Sequence, residues 1–158
     1  MRHLEKNMER ECRISAGAII IREDQILLVR YDNDDGTSYL VGPGGAALTN
    51  EGASQAVVRE VREETGLEVS PQKLLFVEDL LSRRYRIVKI WFLCNLVGGQ
   101  LTRTQGALDE GITDVAWYGR GQLLNEVVYP PELLTYDWRA FVQNNWESKY
   151  LGPRQADF

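Results

Sequence analysis

A segment of 23 residues constrains this chain more than any other part of it. From Gly45 to Leu67 it reads GAALTNEGASQAVVREVREETGL: a Gly, then a Glu after five residues, then Arg-Glu-Val-x-Glu-Glu-x-Gly-Leu after seven more. At average amino-acid frequencies, chance would place these residues at this spacing in so short a chain roughly once in ten million sequences. The spacing therefore reflects a specific structural and chemical requirement.

The second half of the segment is predicted to form a helix from about Gly52 to Thr65, with Asn50 as N-cap. On such a helix Glu60, Glu63 and Glu64 share one stripe, because residues three and four apart are neighbours. Carboxylates this close repel one another unless a cation offsets their charge, and Mg²⁺ prefers oxygen ligands. The alternative is an acidic helix face in water, paired with the two arginines of the helix, Arg59 and Arg62.

The complete pattern resembles the Nudix box, in which every fixed position is filled by this chain. The resemblance implies a hydrolase that uses Mg²⁺, with Mn²⁺ as a substitute. The substrate would be a nucleoside diphosphate linked to another group, such as a nucleoside triphosphate, ADP-ribose or a nucleotide sugar. The enzyme would cleave the pyrophosphate bond of that substrate. The same resemblance implies an α/β fold, the Nudix-type α/β/α sandwich, with a mixed β-sheet covered by helices on both faces.

The resemblance also assigns metal ligands by position. Glu60 and Glu64 correspond to the central ligands, and Glu63 to a group in the metal shell or acting on water. The backbone carbonyl of Gly44 completes the metal site in many relatives. Independently of the family, a Pro-Gly-Gly turn at this point allows the main chain to approach an ion or a phosphate closely.

Other box positions are expected to support these ligands. Arg59 resembles the arginine that orients neighbouring carboxylates, and Glu51 resembles the structural or outer-shell glutamate at the start of the helix. Gly45 and Gly66 are structural, and Gly66 suits the left-handed position that ends a helix.

Outside the box, Glu110 precedes a predicted strand in a segment that resembles the carboxylate-bearing mobile loop of relatives. We expect it to act as a general base or a further metal ligand; the alternative is an acidic loop in water. Arg83 and Arg84 are candidates to bind phosphate. Tyr39, with Tyr31 and Tyr85 as alternatives, is a candidate to stack on a base, although each of these residues also suits a surface or core position.

Strand patterns and turn residues predict the rest of the architecture. Two strands are expected over 13–22 and 25–31, a hairpin over 74–81 and 87–97, and a strand over 112–118. A single domain over 1–158 is expected, with residues 1–12 as a frayed tail and a final helix over 131–149. Trp138, Phe141 and Trp146 would form the packing stripe of that helix or a contact in a homodimer.

Composition limits the partners. The net charge of −5 argues against nucleic acid as a partner and means that an anionic nucleotide needs a metal and local arginines. We expect no membrane association, because no apolar run approaches 20 residues. The charged N-terminus shows no secretory signal. The two cysteines, Cys12 and Cys94, are not spaced as metal ligands. A cytoplasmic location with free thiols is therefore expected.

Two further functions compete with hydrolysis of a small nucleotide. A nucleotide-sensing regulatory module without turnover would be expected to have lost box glutamates, which are intact here. An enzyme acting on capped RNA would need a basic channel, which the acidic composition does not favour.

Overall fold

The computed structural model describes residues 11–156, where helices cover both sides of a β layer made of two sheets. The strands are β1 (Glu11–Ile19), β2 (Ile21–Arg22), β3 (Gln25–Asp32), β4 (Ser38–Val41), β5 (Gly44–Ala46), β6 (Leu67–Leu81), β7 (Tyr85–Gly99), β8 (Ile112–Gly119), β9 (Val128–Tyr129), β10 (Lys149–Tyr150) and β11 (Arg154–Gln155). The helices are α1 (Ala53–Thr65), α2 (Gln105–Asp109), α3 (Glu132–Thr135) and α4 (Trp138–Phe141), with a 3-10 turn at Arg120–Leu123.

The larger sheet has the strand order β10-β6-β7-β1-β5, and β11 also pairs with β6. Strand β1 runs parallel to β7 and antiparallel to β5, while β6 and β7 form a long antiparallel hairpin. In the smaller sheet β3 pairs antiparallel with β2, β4 and β8, and β9 runs parallel to β4. The sheets are mixed, as predicted, and the predicted hairpin is confirmed with longer strands.

Alternate side chains of β3 enter two different hydrophobic cores, because successive residues of a strand point to opposite faces. Leu27 and Val29 pack in a core with the apolar residues of α1 and α2. Ile26 and Leu28 pack in a second core with those of α3 and α4. The β layer is therefore buried on both faces, and the predicted α/β/α arrangement is confirmed.

The N-cap of helix α1 lies two residues after the predicted one, and the helix itself begins at Ala53. The residues before it form a turn, in which the Glu51 amide donates to the Leu48 carbonyl at 3.1 Å. Gly52 is the N-cap, and its amide donates to Gln55 Oε1 at 2.9 Å. Asn50 as N-cap is therefore wrong, because that turn takes up the chain before the helix starts.

The C-terminal end of α1 is as expected. Gly66 has a φ of 73°, and its amide donates to the Arg62 carbonyl at 3.0 Å. A residue with a Cβ would be strained in this conformation, and glycine is not.

The predicted helix over 131–149 is wrong. Tyr136 adopts an extended conformation after α3, and Asp137 then caps a separate one-turn helix by accepting from the Arg139 amide at 3.0 Å. The chain leaves helical geometry after Phe141 and reaches the sheet edge as β10.

The aromatic residues of this region pack inside the protein. The Trp138 indole donates to the Leu133 carbonyl at 2.8 Å, and the Trp146 ring lies 5.0 Å from that of Phe141 and 5.7 Å from that of Phe76. Trp138 and Phe141 are buried, so they do not offer a surface for a homodimer. The helical spacing of these residues reflects a shared aromatic cluster.

Two other expectations concern the ends of the chain and membranes. The predicted tail over 1–12 lies outside the described residues except for Glu11 and Cys12, which belong to β1 and contradict it. Cys12 is exposed there, whereas Cys94 is buried in β7. Among residues 11–156, the helices are too short or too polar to cross a bilayer.

Candidate active site

Helix α1 turns two of its glutamates towards the protein interior. Glu60 and Glu64 lie one turn apart on the face that also buries Val57 and Val61. The exposed fraction is 8% for Glu60 and 1% for Glu64. Glu63 lies beside them, with about half of its side chain exposed. The three carboxylates therefore span the distance from solvent to the interior.

Arg59 binds these carboxylates from one side. Its guanidinium donates to both oxygens of Glu51 at 2.8 and 3.0 Å, to Glu60 at 2.9 Å and to Glu63 at 3.1 Å. The bonds to Glu51 raise the pKa of Arg59 and lower the pKa of the Glu51 carboxyl. Arg59 is thus held by Glu51 and in turn orients Glu60 and Glu63, as charge-assisted hydrogen bonds of a planar fork do.

Two glycines bring the backbone of β5 against the carboxylates. The Gly44 amide donates to Glu64 Oε2 at 3.1 Å. A Cβ on Gly45 would lie 2.6 Å from Cδ of Glu60, and one on Gly44 would lie 2.1 Å from the Ala16 carbonyl oxygen. Neither position accepts a larger residue. The main chain at these two glycines thus lies against a carboxylate and a neighbouring strand, and its approach to an ion or a phosphate stays a prediction.

Burial changes the protonation of the two inner carboxylates. Burial first, and the charge of Glu60 second, raise the pKa of the Glu64 carboxyl to about 8, although the Gly44 amide acts in the opposite direction. The pKa of Glu60 is raised as well, because burial outweighs its hydrogen bond with Arg59. Within the described range, Glu64 has no salt-bridge partner.

A divalent cation suits this donor set. Among residues 11–156, no three acidic side chains already converge on one point as a closed ligand cage. Mg²⁺ does not require such a cage, since it keeps several waters and is usually held by one or two carboxylates plus substrate phosphates. The charge of Lys89 offsets that of the buried Glu64 only in part, since the pKa of Glu64 stays raised. Glu64 and Glu60 beside it are therefore oxygen donors of the right chemistry.

Glu110 follows helix α2, where the sequence predicted an irregular loop. Thr104 starts this helix, and its hydroxyl donates to the Glu63 carbonyl oxygen, which attaches α2 to the last turn of α1. Glu110 is exposed, but its charge contributes to the raised pKa of both Glu60 and Glu64. The structure thus brings Glu110 near the box carboxylates, on a regular and attached element.

A cavity of about 660 Å³ adjoins the carboxylates through Gly44 and Tyr31. The Tyr31 and Tyr39 rings are stacked with centroids 5.3 Å apart, and Tyr129 meets Tyr39 edge-on at 5.6 Å. These three tyrosines form one wall of the cavity, the tyrosine wall. Burial and the charge of Glu64 raise the pKa of Tyr31, so the tyrosine wall lies close enough to the carboxylates to feel their charge. The volume lies in the range of small-molecule sites.

Arg83 and Arg84 are not among the residues that line this cavity. Both lie exposed in the turn between β6 and β7. Residues of both strands line the cavity, whereas the turn itself does not, so a contact of Arg83 or Arg84 with phosphate stays a prediction. The basic side chains that do line it are Lys89 on β7 and Arg154 on β11.

Sequence reasoning missed the middle of the hairpin. Trp91 is buried and donates to Glu78 Oε1 at 2.6 Å, and Lys89 Nζ lies 4.3 Å from the Trp91 ring centroid. The signal was present, because Glu78 and Lys89 each interrupt an apolar strand. The Trp91 ring occupies space left by Gly17 and Gly42, where a Cβ would lie 2.3 and 2.6 Å from it.

Comparison with known proteins agrees with this geometry. The NUDIX domain model matches residues 12–138. An ADP-ribose pyrophosphatase of Methanocaldococcus jannaschii is 31% identical over 104 residues, 65% of this chain and 62% of the relative. An 8-oxo-dGDP phosphatase of Homo sapiens is 33% identical over 122 residues, 76% of this chain and 35% of the relative. The aligned part thus spans less than two thirds of these relatives.

A solved structure extends the comparison to nearly a whole chain. The crystal structure of an ADP-ribose pyrophosphatase from Streptococcus suis superposes with a TM-score of 0.65 at 26% identity. The match covers 87% of this chain and 98% of that one. The similarity therefore includes the overall arrangement of the two sheets and the helices.

Proposed function

The chain belongs to the Nudix hydrolase family, and we propose that it is a divalent-cation-dependent pyrophosphohydrolase that cleaves the diphosphate of a nucleoside diphosphate derivative. The observation that carries the proposal is the buried Glu64, which accepts from the amide of Gly44, a residue that lines the tyrosine-lined cavity. A buried carboxylate without a salt bridge among the described residues, next to a cavity of nucleotide size, fits a metal–diphosphate complex.

The chain's own residues have separate roles in this proposal. Glu60 and Glu64 hold Mg²⁺ or Mn²⁺, with the Gly44 carbonyl and Glu63 in support. The bound metal would offset negative charge that develops on the phosphate oxygens. Arg59 keeps Glu60 and Glu63 in position, which its four hydrogen bonds to carboxylates support. Glu110 is the general base that accepts a proton from the attacking water.

The cavity supports a nucleotide as substrate. Tyr39 and its neighbours offer aromatic faces on which a base stacks, which is a sequence-tolerant interaction of about 1–3 kcal/mol per base. The names of two relatives narrow the candidates to ADP-ribose and oxidised nucleoside diphosphates. We propose a substrate from these two groups.

Intact carboxylates favour turnover over sensing. The charged forms of Glu60 and Glu64 are costly to bury, since burial raises the pKa of both carboxyls. Both are present in spite of this cost, as a metal-dependent hydrolase requires.

The test is a hydrolysis panel that compares ADP-ribose, 8-oxo-dGDP, nucleoside triphosphates, nucleotide sugars and dinucleoside polyphosphates, with the nucleoside monophosphate product as the readout. Each is measured with Mg²⁺, with Mn²⁺ and with EDTA, and the products are separated by chromatography. We expect turnover of ADP-ribose or 8-oxo-dGDP that disappears in EDTA and returns with either metal. Undiminished turnover in EDTA, or binding of all these compounds without hydrolysis of any, would refute the proposal.

A further inference from the structure

The C-terminal strand β11 completes one wall of the cavity. It pairs in parallel with the end of β6, in the register Arg154 with Leu80 and Gln155 with Leu81. Arg154, Gln155 and Ala156 all line the cavity, at some distance along the chain from the Nudix box. No sequence motif predicts a role for this part of the chain, but its position in the cavity wall suggests one.

Arg154 is held beside Glu78 by two carboxylates. Its guanidinium donates to Glu78 Oε2 at 3.2 Å and to both oxygens of Glu132 on α3. Glu78 is 4% exposed, and its other oxygen accepts from the Trp91 indole. Both members of the pair therefore have a fixed orientation, and the hydrogen bonds with Glu78 and Glu132 raise the pKa of Arg154, which keeps it charged.

The pair still has hydrogen-bonding capacity for a ligand. A guanidinium has five N–H donors and a carboxylate about four acceptor positions. Within residues 11–156 the three bonds of Arg154 leave at least two donors, and the two bonds of Glu78 leave acceptor positions. Glu78 and Arg154 both line the same cavity as the three tyrosines.

The charges at the end of the cavity lined by Glu78 and Arg154 favour a neutral polar group as the ligand there. Glu78 and Glu132 both pair with Arg154, so two carboxylates face one guanidinium. Burial lowers the pKa of the nearby Lys89, and the charges of Glu78, Glu64 and Glu60 act on it in the opposite direction. No excess positive charge is left for a further phosphate. An adjoining acceptor and donor match the edge of a nucleobase, where amino or imino hydrogens lie next to a carbonyl or ring nitrogen.

We infer that Glu78 and Arg154 read the hydrogen-bonding edge of the substrate's base, while the base stacks on the tyrosine wall. Arg154 is thereby a specificity-determining residue supplied by the C-terminal strand. This inference rests on the proposed function, because it assumes that the nucleoside part of the substrate occupies the cavity. It adds that bases are distinguished by their edges, and not only by stacking.

The test measures base discrimination by isothermal titration calorimetry with Mg²⁺ present. The probes are the 5′-monophosphates of adenosine, guanosine, cytidine, uridine and purine riboside, which lacks exocyclic groups. For the wild type we expect the tightest and weakest probes to differ in Kd by about tenfold to a hundredfold. Arg154→Ala should reduce this ratio to about twofold or less, because stacking alone tolerates every base.

Two further variants separate edge reading from folding. Arg154→Lys retains the charge beside Glu132 but loses the planar fork, so its ratio should fall as well. Arg86→Ala is the matched control: it removes an arginine that pairs with Asp79 on the same hairpin, outside the cavity lining, and should leave the ratio unchanged.

The readout also distinguishes this inference from the proposed function. An equal loss of affinity for all five probes, with an unchanged ratio in a folded Arg154 variant, would overturn the inference. A wild type that binds the five probes equally would overturn it too. Absence of turnover in the hydrolysis panel, with the expected change of ratio, would overturn the hydrolase proposal and support the edge reading.

Discussion

Replacing Glu64 by Gln should stabilise the metal-free protein at high pH. The same replacement should strongly reduce the activity measured with Mg²⁺. Gln has nearly the size of Glu, and its carbonyl oxygen can still accept from the Gly44 amide, as Glu64 Oε2 does at 3.1 Å. The substitution removes only the charge that burial disfavours. Stability and activity should therefore change in opposite directions, which a generally damaging substitution does not produce.

The magnitude follows from the pKa of this carboxyl, which burial raises from 4.5 to about 8. A folded-state pKa above the unfolded value means that the wild type is most stable, in this respect, below pH 4.5. It loses that stability as the pH rises through 8. At about 1.4 kcal/mol per pH unit, the loss reaches about 5 kcal/mol. Glu64→Gln cannot ionise and avoids it.

The assay is urea unfolding in EDTA at pH 5 and pH 8.5, with the free energies of unfolding of both proteins compared. The free energies of unfolding of the wild type and Glu64→Gln should agree within about 1 kcal/mol at pH 5. At pH 8.5 Glu64→Gln should be more stable than the wild type by several kcal/mol. Added Mg²⁺ should stabilise the wild type and leave the variant nearly unchanged. The kcat of Glu64→Gln, measured with Mg²⁺, should be lower than that of the wild type by about 10² or more.

Glu68→Gln is the control for the stability measurement, because Glu68 is more exposed and pairs with Arg62 near the end of the same helix. It should show no gain at high pH. A difference between wild type and Glu64→Gln that is the same at both pH values would refute the reasoning. So would a variant that retains a near-normal kcat.

Two other predictions concern the neighbours of this carboxylate. Glu110→Gln should lower kcat by about 10²–10⁴ with little change in KM, and it should flatten the acidic limb of the pH–rate profile, on which a general base becomes protonated. Asp109→Asn is the control and should lower kcat much less. Equal losses in both variants would indicate a general effect of local charge. Gly45→Ala should displace Glu60, because its Cβ would lie 2.6 Å from Glu60 Cδ, and should cost about 1–3 kcal/mol of stability and weaken the Mg²⁺ dependence of activity. Unchanged stability and metal response in Gly45→Ala would contradict the close packing described here.

The box carried most of the information that the sequence supplied about the site. Helix α1, its glycine stop at Gly66 and the shared face of Glu60 and Glu64 all follow from residue spacing, since a helix repeats every 3.6 residues whatever surrounds it. The Pro-Gly-Gly turn indicated only that the main chain could approach another group closely, and the structure places Gly45 against the carboxylate of Glu60.

Local pattern failed where packing of distant segments decided the structure. Trp138, Phe141 and Trp146 have helical spacing, yet the Asp137 cap and the aromatic cluster around Phe76 divide the region into short elements. Glu110 ends a helix because Thr104 binds the Glu63 carbonyl across 41 positions of sequence. The Asp137 cap is local, whereas the contacts with Phe76 and with the Glu63 carbonyl come from distant segments and leave no signal in the local sequence.

The sequence by itself determined the family, the carboxylates and their helix, because these depend on neighbours within a few turns. Only the tertiary structure decided which residues form the cavity. Glu78, Trp91 and Arg154 come from β6, β7 and β11, and they meet because the register of one sheet aligns them. Strand register is set by the burial of whole faces and not by any single residue, so such a pairing of distant side chains cannot be inferred from the sequence pattern alone.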